Sequence, residues 1–142
     1  MNQTPTQPHK PNLLIVTQTV DSKDPILGFF VRWIEEFAKQ SEYVHVLALN
    51  VGDYSLPENV TVQSLGKSEG KPKLVWLWRL FAYSWHWRKQ YDATFVHMTP
   101  IHMALTGLFW RLLGKRNGLW YTHGSVSLSL RVANIFTHHI FT

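Results

Sequence analysis

Apolar and polar positions change period several times along this chain, and each change marks an element. Leu13 to Val16 is a continuous branched apolar run, the pattern of a strand covered on both faces of a parallel sheet. After the loop VDSKDPILG the period becomes helical: Phe30, Ile34, Phe37 and Ala38 share one face, and Arg32, Glu35, Glu36 and Lys39 the other. The i,i+4 spacing pairs Arg32 with Glu36 and Glu35 with Lys39. YVHVLALN from Tyr43 and NVTVQSLG from Asn59 read as two further strands, separated by a segment holding Gly52, Asp53 and Pro57.

Residues 74–90 are the longest helix candidate, and DATFVHM supplies the next strand. Thr99 before Pro100 predicts a helix start, with the hydroxyl capping free amides and proline at the first position losing no needed hydrogen bond. That helix, 100–113, should stop at Gly114. A GLWYTH strand, a helix from Val126 to Ile135 and a strand in HHIFT follow. The polar, proline-containing residues 1–11 read as a disordered tail and residues 12–142 as one domain. The alternation of strand and helix predicts an α/β fold: a Rossmann-like doubly wound parallel sheet with helices on both faces.

Composition narrows the class. With 142 residues, 45% of them hydrophobic and only 16% charged, the chain can bury a core and is no disordered polymer. The absence of cysteine excludes disulfides and thiolate metal sites, and the N-terminus has no signal-peptide pattern, so a cytoplasmic location is expected. The apolar stretches Leu74 to Trp87 and Ile101 to Leu113 contain Arg79, His86 and Arg111 and fall short of the roughly 20 residues needed to span a bilayer. A net charge of +5 favours anionic partners without choosing among nucleotides, nucleic acid and acidic lipid. Helix 74–90 carries Trp76, Trp78, Trp85 and Trp87 with Lys71, Lys73, Arg79, Arg88 and Lys89, which fits either core packing or peripheral contact with the inner face of the cell membrane. The core-like helical spacing of the tryptophans argues against a nucleic-acid partner.

In an open parallel sheet, ligands lie outside the carboxyl ends of the strands. Those ends offer Thr17, Gln18, Asp21 and Asp24, then His97 and Thr99, then His123, Gly124 and Ser125. An edge facing water is polar in any case, so each residue alone also fits a plain surface. Gly28 closes the first loop at a helix start, where a missing Cβ lets an anion such as a diphosphate approach the amides; a simple turn glycine fits equally. His123 can donate to a substrate hydroxyl or phosphate, with Gly124 and Ser125 presenting the next helix's amides, or it can be a partly buried histidine bonded to backbone. No GxGxxG or GxxxxGK[ST] pattern is present. His97 and His102 are five apart, and His138 and His139, adjacent in a strand, point to opposite faces, so no metal is expected. Ser125 lacks the GxSxG elbow, and no carboxylate pair reads as an acid/base dyad.

The ordered series LLIVTQTVDSKDPILGFFVRWIEEFAK, YVHVLALN, NVTVQSLG, YDATFVHMTP and GLWYTHGS resembles the N-terminal domain of the group 4-like glycosyltransferases of the GT-B fold, over nearly everything from Leu13 to Thr142. The resemblance implies an acceptor-side half that faces a donor-binding Rossmann-like half across a cleft. It implies transfer of a sugar from a nucleotide-sugar donor to a glycan or lipid-linked acceptor in envelope biosynthesis, with retention and without metal or other cofactor. Gly28 looks like the loop glycine near the donor diphosphate, although Leu27 stands where the family often has a second glycine. His123 looks like the cleft histidine that contacts the transferred sugar, with Thr17, Gln18, His97, Thr99, Gly124 and Ser125 lining the cleft. The donor-binding C-terminal domain is absent from these 142 residues, so the chain alone is expected to be inactive. The alternative is a non-catalytic module binding a nucleotide-sugar or another anion at the same edge.

Overall fold

A computed structural model describes residues 8–122 and 124–142. In chain order these form β1 (Leu13–Val20), α1 (Phe30–Gln40), β2 (Val44–Val51), β3 (Val60–Ser64), α2 (Lys73–His86), β4 (Ala93–His97), α3 (Pro100–Leu112), β5 (Arg116–Trp120), α4 (Leu128–Phe136) and β6 (His139–Phe141). The six strands make one parallel sheet in the order β3-β2-β1-β4-β5-β6, and the fold is the doubly wound α/β class that the alternation predicts. β1 lies inside the sheet with a partner on each side: Leu13 is opposite both Val44 and Ala93, and Ile15 opposite both Val46 and Phe95.

Because successive side chains of a strand point to opposite faces, the apolar run of β1 feeds two cores. Leu14 and Val16 pack with Leu80 of α2, Met103 and Trp110 of α3 and Ala133 of α4. Ile15 packs with Phe30, Val31, Ile34 and Ala38 of α1. Full burial of such side chains contributes roughly 1.5–3 kcal/mol each, which is why the branched runs and not local propensity set the strands.

One buried polar residue ties the far half together. Asn117 of β5 accepts a hydrogen bond from the Thr94 hydroxyl of β4 (2.8 Å) and donates to the carbonyls of Gly107 (3.2 Å) and Phe136 (3.0 Å) at α3 and α4. Its amide donates to Nδ1 of His138 at 3.0 Å, ahead of β6.

Several boundaries depart from the sequence reading for local reasons. β5 ends at Trp120, because its partner strand turns away at Met98, whose φ is 61°. α2 stops at His86, where the chain bends so that Trp87 stacks on Tyr83 and His45. α4 starts at Leu128, since Ser127 accepts the Leu130 amide at 3.2 Å and fixes the first turn. Thr99 makes no cap bond; its hydroxyl instead donates to the His97 carbonyl at 3.4 Å. On α1, Lys39 pairs with Glu36 one turn back at 2.6 Å, in place of the expected partner Glu35. α3 does end before Gly114, whose φ of 76° suits a residue without Cβ.

α3 and α4 cross closely at Gly107, where a Cβ would lie 2.5 Å from Cβ of Phe136 and 3.2 Å from Sδ of Met103. Gly124, by contrast, has open space around the same position. Gly107→Val should therefore lower stability by about 1–3 kcal/mol, while Gly124→Ala stays within about 0.5 kcal/mol. Urea unfolding of both variants checks this, and equal effects would contradict the close crossing.

Candidate functional site

The chain leaves β1 toward α1 on one face and reaches β4 from α2 on the other, so the carboxyl ends of β1 and β4 form the switch point where open α/β sheets bind ligands. A cleft of about 800 Å³ opens there, between the N-terminal ends of α2 and α3. Gln18 of β1 and Met98 and Thr99 after β4 line its floor; Leu74, Trp76, Leu77, Ile101 and Leu105 form apolar walls. Its polar lining is Lys67, Lys73, His102, Tyr121, Ser127 and Ser129. No carboxylate is among these lining residues.

The floor is held by backbone geometry. Met98 adopts a left-handed conformation that costs a non-glycine residue about 1 kcal/mol or more. Two bonds hold it there: its amide donates to the Trp120 carbonyl at 2.9 Å, and its carbonyl accepts from Nε2 of Gln18 at 3.2 Å. The Thr122 hydroxyl contacts its sulfur at 3.5 Å. The residues where β1, β4 and β5 end thus meet at one point.

Of the residues expected at this edge, Gln18 and Thr99 line the cleft, but Thr17 and His97 do not. Both are fully buried on the α1 face, where the Thr17 hydroxyl and Nδ1 of His97 lie 3.0 Å apart. The His97 ring stacks on Phe30 at 3.8 Å and 10°. The pleat is the reason: a residue one position along a strand emerges on the other face. Ser125 and Gly124 are exposed, and neither presents amides of α4, which begins three residues beyond Ser125. His123 lies outside the described residues; Tyr121, two positions before it, lines the cleft.

The first loop is shaped by its own polar groups. Asp24 accepts the amides of Ile26 (2.8 Å) and Leu27 (2.7 Å), which holds its carboxyl below the ordinary carboxylate range. Asp21 accepts the Lys23 amide at 2.9 Å. A Cβ on Gly28 would come within 2.6 Å of the Asp24 carbonyl and 3.0 Å of the Ser22 carbonyl, so the glycine is required by the loop's own tight path.

Comparison with protein-family models and with curated proteins finds no match. What the site can do therefore rests on its geometry. Among the described residues no three metal-ligating side chains come together, and no helix is long and apolar enough to cross a membrane. The cleft offers two ammonium groups, hydroxyls and an amide beside apolar walls, a combination suited to a ligand with an anionic or hydroxyl-rich head and an apolar part.

Sequence reasoning missed most of the rim. Ser127 was findable, since a serine three residues before the Leu130 amide of an apolar run is a usual helix cap. Met98, Lys67 and His102 gave no local signal, because only the packing of the segments after β3 and β4 beside β1 brings them to the cleft.

Three histidines sit inside this framework. Burial pushes His45, His97 and His102 each down from 6.5 to about 4. Between those values the unfolded chain takes up protons that the folded chain refuses. The stability these neutral rings allow is fully present above about pH 6.5 and is lost as pH falls toward 4. From about pH 7.5 to about pH 5 the folding free energy should drop by up to roughly 2 kcal/mol per histidine. Urea unfolding across that range tests it, and a flat profile would show that these rings are not buried neutral.

Proposed function

We propose that the chain is the acceptor-side half of a retaining glycosyltransferase, which moves a sugar from a nucleotide-sugar donor to a glycan or lipid-linked acceptor in cell-envelope biosynthesis. The observation that carries this reading is the cleft at the β1/β4 switch point, whose open mouth combines cations, hydroxyls and an apolar wall. In it the acceptor's hydroxyl-bearing end is held by Gln18, Thr99, Ser127 and Ser129, and its anionic part by Lys67 and Lys73. The cleft lining contains His102 but no carboxylate, and the role assigned to this half is to orient the acceptor. A facing donor-binding domain completes the site, supplying the nucleotide-sugar whose leaving phosphate stands nearest the attacking hydroxyl. His123 follows the strand that ends beside Met98 and orients the reacting sugar, while Gly28 holds the first loop against the donor diphosphate.

The test is a sugar-transfer assay on a protein in which this chain is followed by its donor-binding half, with a panel of nucleotide-sugars and a lipid extract as acceptor. His123→Ala should reduce turnover by roughly a hundredfold or more while leaving the melting temperature unchanged. Unchanged turnover would remove His123 from the reaction. Tight binding of a nucleotide-sugar by the 142-residue chain, with no transfer when the second half is present, would replace this reading with a non-catalytic binding module.

A further inference from the structure

The outer surfaces of α2 and α3 carry matching apolar stripes that none of the described residues covers. On α2, Leu74, Trp78 and Trp85 are 79%, 70% and 52% exposed, with the half-buried Phe81 between them, so the stripe runs at i, i+4, i+7 and i+11. On α3, Ile101, Leu105, Leu108 and Leu112 repeat that spacing and are 47–78% exposed. Both helices pack on the same face of the sheet. They touch through Phe81, Trp85 and Phe109 (5.6 and 6.3 Å between rings) and part at their N-terminal ends, where the cleft opens. Leu74, Ile101 and Leu105 belong both to the stripes and to the cleft wall.

Charge distinguishes the possible occupants of this surface. Residues 70–142 hold nine Lys and Arg against one acid, Asp92, a net charge of +8; residues 1–69 hold five against eight, a net −3. Neither helix contains a carboxylate. Lys71 and Lys73 stand at the start of α2, and Arg88 and Lys89 follow its end, with the Arg88 guanidinium 3.9 Å from the Trp85 ring centre. Arg111 and Arg116 are exposed around the end of α3. An apolar stripe with tryptophans, bounded at both ends by cations, is the composition of a surface that lies in the headgroup region of an anionic bilayer. A second copy of the chain would instead bring the same uncompensated cations across the interface.

We propose that the exposed faces of α2 and α3 form a docking surface for an anionic lipid bilayer, with the mouth of the switch-point cleft at the membrane. The surface extends beyond residues 74–90 to α3, and it holds whether or not the cleft transfers sugar.

The test is flotation of the full chain with phosphatidylcholine vesicles made with and without phosphatidylglycerol. The chain should float with the phosphatidylglycerol vesicles, bind the neutral ones at least tenfold more weakly, and lose most binding at high salt. The double variant Trp78→Ser, Leu108→Ser should weaken binding at least tenfold with an unchanged melting temperature, since both side chains are exposed; Ile26→Ser, equally exposed but in the β1–α1 loop, should not. Equal binding to both vesicle types, no binding, or binding unaffected by the double variant would overturn the proposal. A dimer in sedimentation equilibrium that the double variant dissociates, without vesicle binding, would assign the surface to a second copy instead.

Discussion

The structure depends on β1 being hydrogen-bonded in parallel on both sides. A parallel neighbour cannot be reached by a tight turn, so the chain must cross over a face of the sheet each time. It takes α1's face to reach β2 and α2's face to arrive at β4. The two departures pull the loops after β1 and β4 to opposite sides, and the gap they leave is the cleft. Gln18 reaching the Met98 carbonyl holds the two strand ends in register across that gap. Met98 tolerates its left-handed backbone because that bond and the Trp120 contact fix it from both neighbours. The turn it makes sends the chain through Thr99 and Pro100 into α3, and so sets one wall of the cleft.

Much of this was legible in the chain. The branched run of β1 and the helical period that begins at Phe30 reflect how much apolar surface each element must bury, a quantity written in the residues themselves. Boundaries that depend on a partner were not legible: β5 ends where β4 leaves it, and α2 ends where Trp87 finds His45. The site was legible as an edge but not as a face. Thr17 and Gln18 are adjacent, and the pleat alone requires that if one lines the cleft the other is turned toward α1. That rule was available from the strand assignment; which of the two faces holds the cleft was not, because it is decided by the parting of α2 from α3.

The buried face of that pair has its own consequence. His97, stacked on Phe30 and bonded to Thr17, is enclosed by apolar rings, and burial pushes it down to about 4, so it stays neutral well below physiological pH. Its ring fills the space between β4 and the start of α1, against Phe29, Phe30 and Trp33. Polar groups at the strand ends thus divide between a packed side, against the start of α1, and an open side, at the cleft.

The cleft and the exposed apolar stripes share Leu74, Ile101 and Leu105, and on the proposed membrane docking this sharing constrains what the cleft would take. Drawing an acyl chain out of a bilayer costs about 0.8 kcal/mol per methylene, so a lipid-borne substrate is not lifted whole into a protein of this size. If α2 and α3 rest in the headgroup layer as proposed, only the polar head would have to move, past Lys67 and Lys73 and onto the hydroxyls of the rim, while the tail would stay among lipids against the apolar wall. A fully water-soluble acceptor would gain nothing from that placement and would meet an apolar threshold at the mouth. Under the proposed transfer reading, the position of the cleft relative to the stripes would therefore favour the lipid-linked acceptor over the free glycan.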